Sequence, residues 1–211
     1  MSTTPTVIAN LALDAIGWTE PISSIDDTTS NAAIVCKRQY SLSKEEMLEE
    51  YPWRFSEKSA ALALVSTAIY DPTADATKTK YGYAYYIPSD CLIVNEIFNA
   101  TSDTEKIDFT LQMNASNDAT YILTNEADAV LKYTGATDSF TVMKSALFRR
   151  ALSHKLAANI AMPLTKDKQK RDDNLNMAFG IAKMAQTKDA KEGKKTAPRT
   201  TYKDSMNVST T

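Results

Sequence analysis

The sequence predicts an α+β protein: a helical bundle of about four helices with a small antiparallel β-sheet domain inserted between helices two and three. Three observations predict it. Apolar residues recur at helical spacing near both ends of the chain, from Pro5 to Tyr51 and from Ser139 to Ala190. Between Phe55 and Tyr133 the pattern turns to alternation, rich in β-branched and aromatic residues and cut by Asn, Asp and Ser turns. The apolar faces of the helices need one another as partners, so residues 1–54 and 137–192 form one discontinuous body, 55–136 form the insert, and 193–211 form a tail that is flexible or ordered by a partner.

The first helix is expected from Pro5 to Ile16. Thr4 is a good N-cap, Pro5 suits the first helical position, and Gly17 is placed to end the helix in a left-handed conformation. Val7, Ile8, Leu11, Ala12 and Ala15 form its apolar stripe. Pro21 keeps the following segment out of a helix, and Ile22 and Ile25 are plugs that tack it onto a core. The second helix runs from Ser30 to Tyr51 with Ala33, Cys36, Tyr40, Met47 and Tyr51 on one face, flanked by Ile34 and Leu48. Its C-terminal end carries Glu45, Glu46, Glu49 and Glu50, which oppose the helix macrodipole, so local helix stability does not explain them. They form either a solvated face or a surface that needs negative charge. Pro52 stops the helix, and Trp53 and Phe55 anchor the next segment, with Trp18 a further structural anchor.

The insert is expected to hold about five strands. Ala61–Ser66, Tyr81–Ile87, Cys91–Phe98, Ile107–Gln112, Tyr121–Leu123 and Ala129–Tyr133 are the apolar or alternating runs, with Ile107, Phe109 and Leu111 facing inward. Tyr81, Tyr83, Tyr85 and Tyr86 read as cross-strand packing; a stacking platform for single-stranded nucleic acid would want more basic neighbours than Lys78 and Lys80. The third helix is expected from Ser139, capped by Asp138 or Thr137, to Met162, with Phe140, Met143, Leu147, Phe148, Ala151, Leu152, Leu156 and Ile160 as its broad apolar face and Pro163 as its end. The fourth begins near Thr165, with Leu175, Ala178, Phe179, Ala182 and Ala185 as its stripe.

Composition narrows the chemistry. The 211 residues are 43% hydrophobic and 24% charged, with a formal net charge of −2, so bulk charge does not make a polyanion binder. The 5 glycines form neither GxGxxG nor GxxxxGK[ST], and with 1 His and 2 Cys a triad, a His-based metal site or a CxxC pair has no material. The lone His154 reads as a structural or surface residue, and Asp26-Asp27 and Asp172-Asp173 as solvated pairs, so no catalytic residue, metal or cofactor is expected. The start of the chain lacks a positive n-region and an unbroken apolar core, no run of about 18 apolar residues exists, and Cys36 and Cys91 lie far apart. A cytosolic setting with free thiols and no membrane span is expected.

From Ile8 to Phe55, a short helix ends in Ile16-Gly17, a connection EPISSIDD follows from Glu20 to Asp27, a long helix has an Ala near its start, and YPWRF closes it from Tyr51 to Phe55. With these features the stretch resembles the opening of the tail tubular protein A family of podoviruses and related phage head-to-tail adaptors. The run AYYIPSDCLIV from Ala84 to Val94 and the closing helix from Met177 to Gly193 are also similar. Tyr-Pro-Trp stands where some members have Gly-Trp, which points to a different branch. The resemblance implies a non-enzymatic virion part at the neck or tail, present in the host cytoplasm during assembly. It implies a dodecameric ring that joins the portal protein to the tail nozzle or tail-tube protein and lets double-stranded DNA pass without sequence preference.

Within that picture Glu45, Glu46, Glu49 and Glu50 are the candidate lumen lining, where like charge keeps duplex sliding. Lys194, Lys195, Arg199, Tyr202 and Lys203 form the candidate portal-docking tail, as the C-terminal segment does in several relatives. Two other readings compete. A DNA-binding or packaging accessory would use the basic surface of helices three and four, with Arg149, Arg150, Lys166, Lys168, Lys170 and Arg171 interleaved by Asp167, Asp172 and Asp173. A hydrolase in the β unit has no visible nucleophile–base pair.

Overall fold

The computed structural model describes residues 4–66, 81–101, 106–113, 119–136 and 145–191. Among these, the chain order is α1 (Pro5–Ala15), α2 (Asn31–Glu49), a short 3-10 turn at Arg54–Ser56, β1 (Glu57–Ala61), β2 (Tyr83–Tyr86), β3 (Cys91–Asn99), β4 (Phe109–Met113), β5 (Thr120–Thr124), β6 (Ala129–Gly135), α3 (Ala146–Thr165) and α4 (Lys168–Lys191). The protein is thus α+β, with its strands between the second and third helices.

α1 starts where Thr4 Oγ1 accepts from the Val7 amide and ends in a Schellman arrangement: Trp18 N–H reaches Leu13 O at 3.0 Å and Gly17, at φ 72°, takes the left-handed position. The connection to α2 is tied down by side chains of α1. Asn10 exchanges both amide bonds with the Ile22 backbone, and Thr6 Oγ1 accepts from Ile25 N–H, so Ile22 and Ile25 are held buried against the helices. The apolar stripe of α1 is turned from the expected one. Ile8, Ala9, Ala12, Leu13 and Ile16 are buried, while Val7 and Leu11 are 38% and 47% exposed. The buried set includes Leu13 and Ile16 because α1 packs chiefly on α3 and more lightly on α2, while its C-terminal end meets Lys170 of α4.

α2 is capped by Ser30 and stops at Glu49, two residues short of the expected Tyr51. Trp53 is the keystone after it. Its Nε1 donates to Met47 O at 2.7 Å, and its ring meets Tyr51, Phe55 and Phe148 at centroid distances of 5.0, 5.8 and 4.9 Å.

α3 begins at Ala146, seven residues later than expected. Ser145 has extended backbone (φ −65°, ψ 113°) and its Oγ caps Phe148 N–H, so the helix cannot run back through it. Residues 137–144, with Phe140 and Met143, lie outside the described residues. Pro163 sits inside the last turn rather than ending it; Thr165 Oγ1 bonds Ala161 O, Lys166 N–H bonds Met162 O, and the left-handed Lys166 (φ 55°) makes the stop. α3 is the centre of the body, with α1, α2 and α4 all packed on it. α4 packs on α3 and buries Asn174, Ala178, Ala182, Ala185 and Asp189, whereas Phe179 is 44% exposed. Small alanines on both helices allow close approach, which leaves no room for a ring at that seam.

Among its described residues the insert holds six strands in two antiparallel three-stranded sheets, ordered β1-β6-β3 and β2-β5-β4, rather than about five in one. The sheets face each other over Tyr85, Ile97, Ile122, Ala129, Leu131 and Tyr133. Backbone bonds join them at both seams. Val65 N–H to Ala84 O and Tyr86 N–H to Ala63 O carry the end of β1 onto β2, and Ile107 N–H to Ile97 O carries the approach to β4 onto β3. The unit therefore closes on itself like a small barrel, which leaves few open edges. Leu111, expected inward, is 48% exposed although its partner Ile122 is buried: among the described residues β4 pairs only with β5, and its cover by the inter-sheet core reaches Phe109, two residues earlier. Leu92 of β3 packs against the helical core, and just before the insert Arg54 N–H bonds Asp189 Oδ2 of α4 at 3.2 Å, so the β unit is tied to the helices at two places.

Candidate functional site

The residues singled out from sequence do not converge on one centre. In the acidic strip of α2, Glu46 is an ion-pair partner of Lys155 on α3 at 2.7 Å, and Lys155 lies over the Phe179 ring of α4 at 5.9 Å. Glu45 is half-buried, and Glu49 and Glu50 are exposed. The strip thus splits into one inter-helix tie and three carboxylates that face outward.

The basic residues of α3 and α4 are likewise divided by task. Lys170 donates to Ile16 O at 2.7 Å, and Arg171 chelates Asp172 Oδ1 through Nε and Nη2. Asp167 caps α4 by accepting from Gln169 and Lys170 N–H, and Lys166 is the left-handed stop of α3. Arg149 and Arg150 stand apart, on the wall of a groove of about 570 Å³ between α1 and α3. Val7, Leu11 and Asp14 line the opposite wall, and Ser153 and His154 close one end. This groove was not foreseen, because Val7 and Leu11 read as core; the legible signal was that a helix starting at Pro5 has two candidate apolar rows, and only one can face α3.

His154 Nδ1 is 2.9 Å from Asn174 Oδ1. The Asn174 amide donates to Lys170 O at 2.8 Å and to Ala15 O at 3.3 Å, which fixes its oxygen toward the imidazole, so Nδ1–H is the donor. The histidine is a structural link between α3, α4 and the end of α1.

Trp18 is partly buried on the helical core, with Nε1 enclosed and without a hydrogen-bond partner among the described residues. Trp53 is buried and Phe55 stacks edge-on to Phe148 at 4.8 Å. Of the paired carboxylates, Asp26 meets Lys37 at 3.0 Å and Asp27 accepts from Thr29, whose backbone N–H, the largest cause, holds the Asp27 carboxyl below its usual range. No group of three or more metal-ligating side chains occurs among the described residues. The tail residues Lys194, Lys195, Arg199, Tyr202 and Lys203 lie outside them. No helix among the described residues is long and apolar enough to cross a membrane.

A second polar cluster, absent from the sequence reading, sits at the end of sheet β1-β6-β3. Asp90 takes Lys58 Nζ on one oxygen and Tyr133 OH, at 3.0 Å, on the other. Gly135 makes room for it, since a Cβ there would come within 2.6 Å of Lys58 Cδ. The Lys58 ammonium, foremost, holds the Asp90 carboxyl below its usual range, while burial and then Asp90 push Tyr133 up to about 12. Burial, and then Asp90, also raise the thiol of the neighbouring Cys91 to about 11. The cluster pins the turn before β3 to the end of β6, where Ala136 N–H also bonds Asp90 O at 2.7 Å.

Among known proteins, no protein-family model matches the chain, and a search of curated proteins finds no significant match.

Proposed function

We propose that this chain is the ring-forming head-to-tail adaptor of a tailed bacteriophage, a structural subunit that joins the portal to the tail nozzle or tail tube and lets genome DNA pass. The observation that carries the reading is the division of labour among its polar residues. Those of catalytic type are spent on holding helices and strands together, as with His154–Asn174 and Lys58–Asp90, whereas the unpaired charges lie beside exposed apolar side chains on helix surfaces. That is the chemistry of a part that fits other parts. The resemblance of Ile8–Phe55 to adaptor sequences supplies the kind of assembly: a dodecameric ring in that family, with the tail around Lys194, Lys195, Arg199, Tyr202 and Lys203 docking on the portal. With Glu46 engaged by Lys155, any lumen charge from α2 reduces to Glu45, Glu49 and Glu50.

Electron microscopy of the chain mixed with the portal protein of the same genome tests the reading. Ring density beneath the portal is expected; portals that stay bare at saturating chain would overturn it. A salt-titrated gel shift addresses the DNA-accessory alternative. Because Lys170 and Arg171 are engaged within the fold, the free chain is expected to bind duplex weakly. Tight binding that falls steeply with salt would favour the accessory role instead.

A further inference from the structure

We propose that the groove between α1 and α3 receives the outward ridge of α2 from a second copy of this chain, head to tail. The inference rests on the ring reading and names the contact that would build the ring. The groove carries an ordered pattern. Asp14 marks the end near His154, because the adjacent Ala15 carbonyl shares Asn174 with that histidine; Leu11 and Val7 follow one and two turns back along α1; Arg149 and Arg150 come from the first turns of α3. Asp14 and the apolar pair thus share the α1 wall, with Asp14 toward one end, and the two bases face them from the α3 wall.

The ridge carries the complementary set. Arg38, Leu42, Glu45 and Glu49 recur at helical spacing on the outer face of α2, with Leu42 50% exposed. From Arg38 to Glu45 the helix rises about 10 Å, a length over which a single groove can meet both ends. Neither set is satisfied at home: among the described residues, the side chains of Asp14, Arg149 and Arg150, like those of Arg38, Glu45 and Glu49, make no hydrogen bond or ion pair. Seating Leu42 against Leu11 and Val7 brings Arg38 toward Asp14 and the two glutamates toward the two guanidiniums.

Charge complementarity is what selects this occupant. Duplex DNA would meet Arg149 and Arg150, but it would be repelled by Asp14 and gain little from Leu11 and Val7. A purely apolar partner would leave the guanidiniums desolvated and unmatched. A ridge of base, apolar and acid answers all three parts of the groove. Groove and ridge are different patches, so each copy can offer its ridge to one neighbour and its groove to another, the heterologous arrangement from which a ring closes. It also explains why α2 tolerates glutamates at its C-terminal end against the macrodipole: Glu45 and Glu49 have their partner on the neighbour, which takes them out of the lumen lining and leaves Glu50 for it.

Sedimentation velocity over a range of chain and salt concentrations tests the contact, first with the unaltered chain, alone and with portal. Two charge-reversed variants follow, Arg149→Glu/Arg150→Glu and Glu45→Lys/Glu49→Lys. None of these four side chains is paired among the described residues, so both variants should fold as judged by circular dichroism. The milder Leu11→Ser, which keeps every charge, covers the case where a reversal misfolds. The expected result is salt-sensitive self-association of the unaltered chain, weakened at least about tenfold in each variant, and association between the two reversed variants when they are mixed. If the unaltered chain assembles and all three variants assemble equally well, this contact is wrong while the ring reading stands. If the unaltered chain stays monomeric at every concentration and with portal, the ring reading fails and the contact with it.

Discussion

Lys170, in the first turn of α4, donates its ammonium to the carbonyl of Ile16 at the end of α1, 2.7 Å away. The bond joins residues 154 apart in sequence and satisfies one of the carbonyls that a helix C-terminus leaves open. Asn174, one turn later, repeats the move on Ala15 O and takes His154 on its oxygen. The end of α1 is therefore closed by α4 as well as by its own Gly17.

Replacing Asn174 tests that closure. Asn174 is buried, and Asn174→Leu strands the Ala15 carbonyl and the His154 N–H together. A loss of roughly 1–3 kcal/mol in urea-induced unfolding is expected. Lys170→Met should cost less, about 0.5–1 kcal/mol, because water can replace the ammonium at a half-buried site.

Trp53 separates ring packing from hydrogen bonding. Trp53→Phe keeps an aromatic against Phe148 but orphans Met47 O, so a cost of about 1–2 kcal/mol is expected; Trp53→Ala also opens a cavity and should cost about 3–5 kcal/mol. With Trp18 the other of the 2 tryptophans, the fluorescence lost in Trp53→Phe reports the buried ring directly.

Gly135 and Lys58 should be coupled. Gly135→Ala places a methyl within 2.6 Å of Lys58 Cδ, so the lysine stem must move and its bond to Asp90 suffers. In a double-mutant cycle the cost of Gly135→Ala, about 1 kcal/mol or more, should shrink once Lys58→Ala has emptied the space. Equal costs in both backgrounds would mean that the lysine is not what the glycine serves.

The same cluster predicts pH dependence at both extremes. Asp90 titrates lower in the folded chain than unfolded, so its contribution is complete above the unfolded value of about 3.9 and disappears as pH falls through the depressed folded value. Tyr133 titrates higher when folded, so its contribution is complete below the unfolded value of about 10 and disappears as pH rises to about 12. Thermal melts should show Asp90→Asn flattening the acid limb. Ultraviolet titration of that variant should show Tyr133 ionising at lower pH, though still above 10, because burial is the larger cause of its shift.

Much of the helical plan was legible because its signals are local. Thr4, Pro5 and Gly17 bound α1, Ser30 and Pro52 bound α2, and Trp53 follows at the junction where a large buried ring was expected. Pro163 misled because proline removes one donor without forbidding another turn; where a helix ends depends on whether the next residue can leave it, and Lys166 does so by turning left-handed. The groove was not legible, since whether Leu11 is core or surface depends on where α3 passes, and α3 lies more than a hundred residues downstream.

By itself, the sequence determined the alternation of helical and strand segments, their caps and stops, and the alanine rows that let α3 and α4 close on each other, all properties of residues within a few positions of one another. Tertiary structure decided what distance along the chain cannot encode: that the strands split into two sheets joined at both seams, that Asp90 gathers Lys58 and Tyr133, and that Glu46 is claimed by Lys155 while Glu45 and Glu49 are left facing out. The physical reason is that a charge or an apolar face has no assigned role until packing sets the distance to its partner. Below about 4 Å a carboxylate is a structural tie, and beyond that it is free for another molecule.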